Sequence, residues 1–300
     1  MGCFNVNRIG KKFFDRIEFT LFVLPVLVLV SLAFYIPFGM SMFYSMTEWN
    51  GVSKDPIFIG LENFKQIFMG DNSFRDASIF TIKYAVLYII IVNVIALFLA
   101  IILDQKMKSA NVLRAIFFLP YILSLVIVGF IWKFIFVQGF NSLDNITGLG
   151  VFRISWLGEA NLAFISVLFV SIWHSVGFYI VIYIAGLQSV PHDILEAATV
   201  DGAGPVKKFF GVMLPMLAPS VTICVFLALT SSIKVFDEII SLTAGGPGGS
   251  TISVTLDIYR EAFQNNMYGY GTAKALILFV AVLIITVIQL KFFKGKEVEI

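Results

Sequence analysis

Charge is what this chain has least of. Only 13% of its 300 residues are Asp, Glu, Lys or Arg, and 59% are hydrophobic; a soluble domain carries about one quarter charged residues. So little polar surface cannot cover a water-exposed globule. With a mean hydropathy of +0.92, the composition is that of an integral membrane protein. Cysteine is scarce as well. Cys3 and Cys224 lie far apart, which excludes a disulfide framework and any zinc spacing. Two histidines, His174 and His192, are too few for a His-rich metal site. A net charge of +2 lacks the basic excess of a nucleic-acid binder.

Catalytic and nucleotide-binding motifs are missing too. No Gly-x-x-x-x-Gly-Lys-Ser/Thr occurs, so the chain has no phosphate-binding P-loop. Gly202-Ala203-Gly204 runs into Pro205 and two lysines, so the dinucleotide fingerprint fails. Gly245 to Gly249 lacks the Lys-Ser/Thr pair. Neither His-Glu-x-x-His nor Gly-x-Ser-x-Gly is found. A membrane enzyme would have to work with scattered carboxylates, and no cofactor is expected in this chain.

What is present is apolar length. A bilayer core needs about 20 apolar residues per helix. Six runs qualify, at residues 19–45, 79–103, 112–137, 162–187, 212–236 and 273–293. The predicted fold is therefore an all-α membrane protein with six transmembrane helices. The first run is too long for a signal peptide, and no Ala-x-Ala site follows it. No repeat of fixed period is visible.

Charge then sets topology, because positive residues stay on the cytoplasmic side. Arg8, Lys11, Lys12, Arg16, Lys106, Lys108, Arg114, Lys207, Lys208, Lys291, Lys294 and Lys296 fall on one side, twelve of the 21 Lys and Arg. The opposite loops hold Lys54, Lys65, Arg75, Arg153 and Arg260. Both termini are expected in the cytoplasm. The plan is a tail over 1–18, a membrane domain over 19–293 and a short tail over 294–300. In the outer loops, Gly60-Leu61-Glu62-Asn63-Phe64 reads as a short amphipathic segment and Gly245–Gly249 as a turn cluster. Tyr259, Phe263, Tyr268 and Tyr270 read as an aromatic border suited to interfacial anchoring.

One polar insert, residues 188–211, separates the fourth and fifth runs on the cytoplasmic side. Pro191 permits a helix to start, and Ile194-Leu195-Glu196-Ala197-Ala198-Thr199 continues it. Asp201-Gly202-Ala203-Gly204-Pro205 ends it, since Gly favours a left-handed cap and Pro cannot extend a helix. A second helix starts near Val206. The result is a compact knob with small Ala faces and two carboxylates, Glu196 and Asp201, able to make charge-assisted contacts. On these residues alone it is equally an ordered loop or a docking element.

The insert resembles the EAA loop of the membrane subunits of binding-protein-dependent ABC importers. Glu196-Ala197-Ala198, Gly202 and Leu214-Pro215 stand at that pattern's spacing, with Val212 replacing its Ile. Asp201-Gly202-Ala203 is similar to the sugar-permease branch, of maltose and glycerol-phosphate type. Leu187-Gln188-Ser189-Val190-Pro191, Arg114, Leu119-Pro120, Ile131-Trp132, Leu242-Thr243-Ala244-Gly245-Gly246-Pro247, Tyr259 and Ala262-Phe263 agree with it. The resemblance covers nearly all of the chain beyond Phe19.

This resemblance implies a type I importer transmembrane domain in a bacterial cytoplasmic membrane. Glu196, Ala197, Ala198, Asp201 and Gly202 would form the contact with a cytoplasmic ATPase, present in two copies and itself holding ATP and Mg. A second homologous permease and an extracellular solute-binding protein would complete the machine, with a carbohydrate as cargo.

For the cargo path, polar groups inside spans are the candidates. Ser171, His174, Ser175 and Phe178 lie at i, i+3, i+4 and i+7, on one helix face. A polar stripe ending in an aromatic suits a sugar, and equally suits helix packing through small polar residues. In the fifth span Ser231 and Ser232 are adjacent, so one of them can face a cavity. Lys234 can snorkel or pair with Asp237 or Glu238. Ser124 and Trp132 are weaker candidates. Neutral mono- or oligosaccharides suit spans so poor in cations, since a phosphorylated polyol would find only Lys234. The competing class is a secondary transporter or channel for a small polar solute. That would need coupling charges inside the spans and often an inverted repeat, neither of which is evident.

Overall fold

The computed structural model describes residues 6–105 and 108–294, with side chains over 18–105 and 108–291. Cys3, Lys106 and Lys296 lie outside the described residues, as does most of the C-terminal tail. In chain order the elements are α1 (Val6–Val30), α2 (Ile36–Tyr44), β1 (Thr47–Glu48), β2 (Ile57–Phe58), α3 (Glu62–Gly70), α4 (Asn72–Leu103) and α5 (Ala110–Ile122). They continue as α6 (Leu125–Phe134), α7 (Phe140–Thr147), α8 (Gly150–Arg153), α9 (Ala160–Ser189), α10 (His192–Val200), α11 (Pro205–Lys208) and α12 (Leu214–Met216). The last are α13 (Ala218–Ile233), α14 (Asp237–Leu242), α15 (Val254–Tyr259) and α16 (Tyr268–Lys294).

Among the described residues, five helical stretches are long and apolar enough to cross a membrane: Glu18–Tyr44, Asn72–Leu103, Leu125–Thr147, Ala160–Ser189 and Tyr268–Lys291. A sixth arises if Pro205–Met216 and Ala218–Ile233, bent by 70° at Leu217, count as one. Prolines shape these helices. A Pro lacks the N–H that would bond the carbonyl four residues back. The wider π turns at Ser31–Tyr35 and Phe209–Met213 lie just before Pro37 and Pro215, where such a donor is missing. Leu217 at the bend is flanked by Pro215 and Pro219.

The third predicted run needs correction. It is not one helix over 112–137. Leu123 and Ser124 are extended, with ψ of 147° and 131°, and separate α5 from α6. Pro120 in the last turn of α5 weakens the helix there. At 13 residues α5 is about 20 Å long, too short to span alone. The span proper runs on through α7 to Gly148, whose φ of 66° ends it. The second span also starts earlier than expected, because the Asp71 side chain accepts from Phe74 N at 2.8 Å and caps α4.

The chain divides into two compact units, Met1–Gln66 with Glu261–Leu276, and Ile67–Arg260 with Ile277–Ile300. The first contains the β1–β2 hairpin. Asn63 is buried rather than lying on a surface, and its amide donates to the Ser45 and Thr47 carbonyls at 2.9 and 3.0 Å. In this unit Lys274 is fully buried and pairs with Glu261 at 3.0 Å. The second unit is centred on α9, which packs against α4, α5 and α13. Gly177 makes the α5 contact possible: a Cβ there would strike the Phe117 carbonyl and Phe118 Cα. Along α4, Tyr88, Val92, Ala96 and Ala100 are buried, one helical turn apart, giving a narrow seam that lets α4 and α9 approach.

Candidate functional site

The break after α5 has a direct consequence for the polar stripe on α9. An extended Leu123 leaves its carbonyl without a helical donor. His174 Nε2 lies 3.1 Å from that oxygen, and since a carbonyl only accepts, the imidazole donates. Tyr121, on the last turn of α5, stacks on Phe178 with centroids 4.7 Å apart and 15° between planes. Ser175 Oγ donates to the Ser171 carbonyl at 2.7 Å, and Ser171 Oγ to the Val167 carbonyl at 2.9 Å. Because the Ser175 proton is committed, the Tyr88 hydroxyl donates to Ser175 Oγ at 2.7 Å.

These groups border a cavity of about 250 Å³ inside the second unit. The stripe Ser171, His174, Ser175 and Phe178 lines it together, and Ser231 reaches it from α13. Ser232 does not: it is buried and donates to the Leu229 carbonyl at 3.0 Å. Trp132 packs against Phe136, Phe169 and Trp173 instead, and Ser124 is exposed at the start of α6. Neither borders the cavity. Lys234 is exposed and pairs with neither Asp237 nor Glu238.

Six further residues line the cavity, the apolar Leu125 and Leu227 and the polar Tyr88, Tyr121, Tyr179 and Glu238, the last expected only as a partner for Lys234. Tyrosines within aliphatic spans were the available signal for three of them. Glu238 sits on α14, beyond the end of the fifth span. Burial pushes its carboxyl up to about 7; neighbouring Asp237 adds to the rise, while its own backbone N–H opposes it. The cavity thus presents an aromatic wall, serine oxygens with free lone pairs and one carboxyl. That set can accept hydrogen bonds from a hydroxyl-rich solute and stack on an apolar ring face.

The second candidate region is the knob. α10 follows Pro191, and Val190 before it is extended, the conformation that a following Pro favours. Gly202 ends the helix with φ of 78°, a left-handed conformation costly to side chains. Gly202 N and Ala203 N return to the Thr199 and Ala198 carbonyls at 3.1 and 3.0 Å. Lys208 Nζ donates to Thr199 Oγ1 at 3.0 Å and ties α11 to α10. Glu196, Ala197, Asp201 and Gly202 are exposed and Ala198 is half-buried. Among the described residues, neither acid has an ion-pair partner. Val200, Val206 and Phe210 are 87%, 71% and 63% exposed, apolar surface that a free loop would not keep in water. Among the described residues, no group of three or more potential metal ligands occurs.

Helices of membrane-spanning length, a polar cavity lined from α4, α5, α9, α13 and α14, and an exposed knob define a multi-pass membrane transport subunit. The chain belongs to the family of binding-protein-dependent transport system inner membrane components, whose model matches residues 92–296. It is 40% identical, over 97% of its length and 98% of the relative's, to a probable starch degradation products transport system permease protein, AmyD, of Thermoanaerobacterium thermosulfurigenes. It is 39% identical, over 98% and 99%, to the multiple sugar-binding transport system permease protein MsmF of Streptococcus mutans. Its fold matches a bacterial ABC transporter involved in import of the acidic polysaccharide alginate, with a TM-score of 0.81, 22% identity and coverage of 96% and 99%. The chain is therefore a transport permease of the inner membrane and not an enzyme.

Proposed function

We propose that this chain forms half of the translocation pathway of an ATP-driven importer for a carbohydrate. In this reading it works with a second permease, two cytoplasmic ATPase subunits and a solute-binding protein outside. Both tails, 1–18 and 294–300, then lie in the cytoplasm around the membrane domain, 19–293. The sugar relatives support the cargo class. The single observation that carries the coupling reading is the knob. Glu196, Ala197, Asp201 and Gly202 are all exposed there, with apolar side chains beside them, and among the described residues neither acid has an ion-pair partner. Glu196 offers an anchor for a cationic group on the ATPase, and Gly202 sets the turn that presents it.

ATP-driven closure of the ATPase pair would push on this knob and, through α9 and the bent α12–α13 pair, reshape the cavity. The test is reconstitution of the full complex in proteoliposomes. Glu196→Ala should lower transport and binding-protein-stimulated ATP hydrolysis together, by at least about tenfold, the weight of a charge-assisted contact of about 1.5–3 kcal/mol. Wild-type transport by Glu196→Ala, or transport without the ATPase, would refute this coupling.

A further inference from the structure

Among the described residues, Glu238 is the only Asp, Glu, Lys or Arg bordering the cavity. Its backbone is held by α14, which packs on α6 and α9, and among the described residues no Lys or Arg pairs with it. Lys234, four residues away, is exposed and does not border the cavity. Among the described lining residues the one basic side chain is His174, whose Nε2–H is spent on the Leu123 carbonyl. Around Glu238 stand neutral hydroxyls: Ser171, Ser231, Tyr88 and Tyr179.

We propose that Glu238 is a specificity-determining residue of this cavity, where its carboxyl admits neutral sugars and excludes anionic ones. This rests on the carbohydrate reading above. As a carboxylate, Glu238 accepts hydrogen bonds from sugar hydroxyls. A uronate or phosphate entering the same space meets a like charge with no cation between them, at a dielectric well below that of water. The alternative for the site is to take up a proton on Glu238 before the anion binds, which also weakens anion binding at alkaline pH. Asp237, next in the chain, adds to the same field.

The experiment uses the intact complex of both permeases and the ATPases, without the binding protein, at pH 8. Binding of a neutral panel (glucose, maltose, maltotriose, raffinose) is compared with binding of trigalacturonate. Wild type should bind at least one neutral sugar and discriminate against trigalacturonate. Glu238→Gln should narrow that ratio by about tenfold or more, whereas Glu238→Asp should keep it. An unchanged ratio in Glu238→Gln overturns the charge filter and leaves the carbohydrate reading standing. Wild type binding trigalacturonate as well as the neutral sugars overturns it without any variant. Failure to bind any neutral sugar overturns the carbohydrate reading itself.

Discussion

Single residues in this chain carry work that composition hides. Lys274 shows no exposed surface, yet its ammonium lies 3.0 Å from Glu261 and 4.9 Å from the Tyr270 ring centre. Removing one partner of a buried pair strands the other charge, at a cost of about 3–5 kcal/mol. Lys274→Ala should therefore lower the unfolding free energy by that amount, and Lys274→Met with Glu261→Leu should recover most of it. Denaturant unfolding of the purified complex reads both; a loss below about 1 kcal/mol in the single variant would show that the pair is not structural. Nothing in the sequence marked Lys274 as a buried ion. Its partner is thirteen residues away across a loop, and a lysine near the start of a span reads equally as a snorkelling end.

At the scale of elements, the break between α5 and α6 decides the shape of the cavity. The apolar run 112–137 is unbroken in hydropathy, so periodicity alone makes one helix of it. Pro120 was visible, but a proline in a span is often tolerated when neighbours satisfy the freed groups. The carbonyl freed at the break itself, that of Leu123, takes its donor from His174 on α9, a contact over fifty residues that no local pattern encodes. The approach of α5 to α9 also hangs on Gly177. Gly177→Ala should drive its new Cβ into the Phe117 carbonyl and cost about 1–3 kcal/mol. It should also separate the Tyr121–Phe178 stack and cut transport. Gly211→Ala, with open space around it, is the control and should leave the unfolding midpoint near wild type. Equal midpoints for the two variants would mean the helices do not meet as closely as described.

For the whole molecule, the question is which side each end faces. The Lys and Arg distribution leads us to propose that the knob and both tails face the cytoplasm. An impermeant thiol reagent should label Ser53→Cys in intact cells. It should reach Asp193→Cys only after the membrane is opened; both positions are exposed. Labelling of Asp193→Cys in intact cells would invert the topology and remove the knob from the reach of any ATPase.

Six apolar lengths, the helical class and the spacing from Glu196 to Leu214-Pro215 all follow from local properties: hydropathy, proline and glycine chemistry, and a short run of fixed positions. They are legible because each depends on residues near one another in the chain. The α9 stripe could be laid on one face for the same reason. Whether that face met a cavity or another helix could not be decided there, because the answer depends on what stands opposite. Tertiary structure brought Tyr88, Tyr121, Ser231 and Glu238 to that face from four other helices, turned Ser232 and Trp132 away, and left one carboxyl without a cation beside it. Such meetings depend on how helices cross, and crossing is set by close contacts like that at Gly177, which sequence spacing does not reveal.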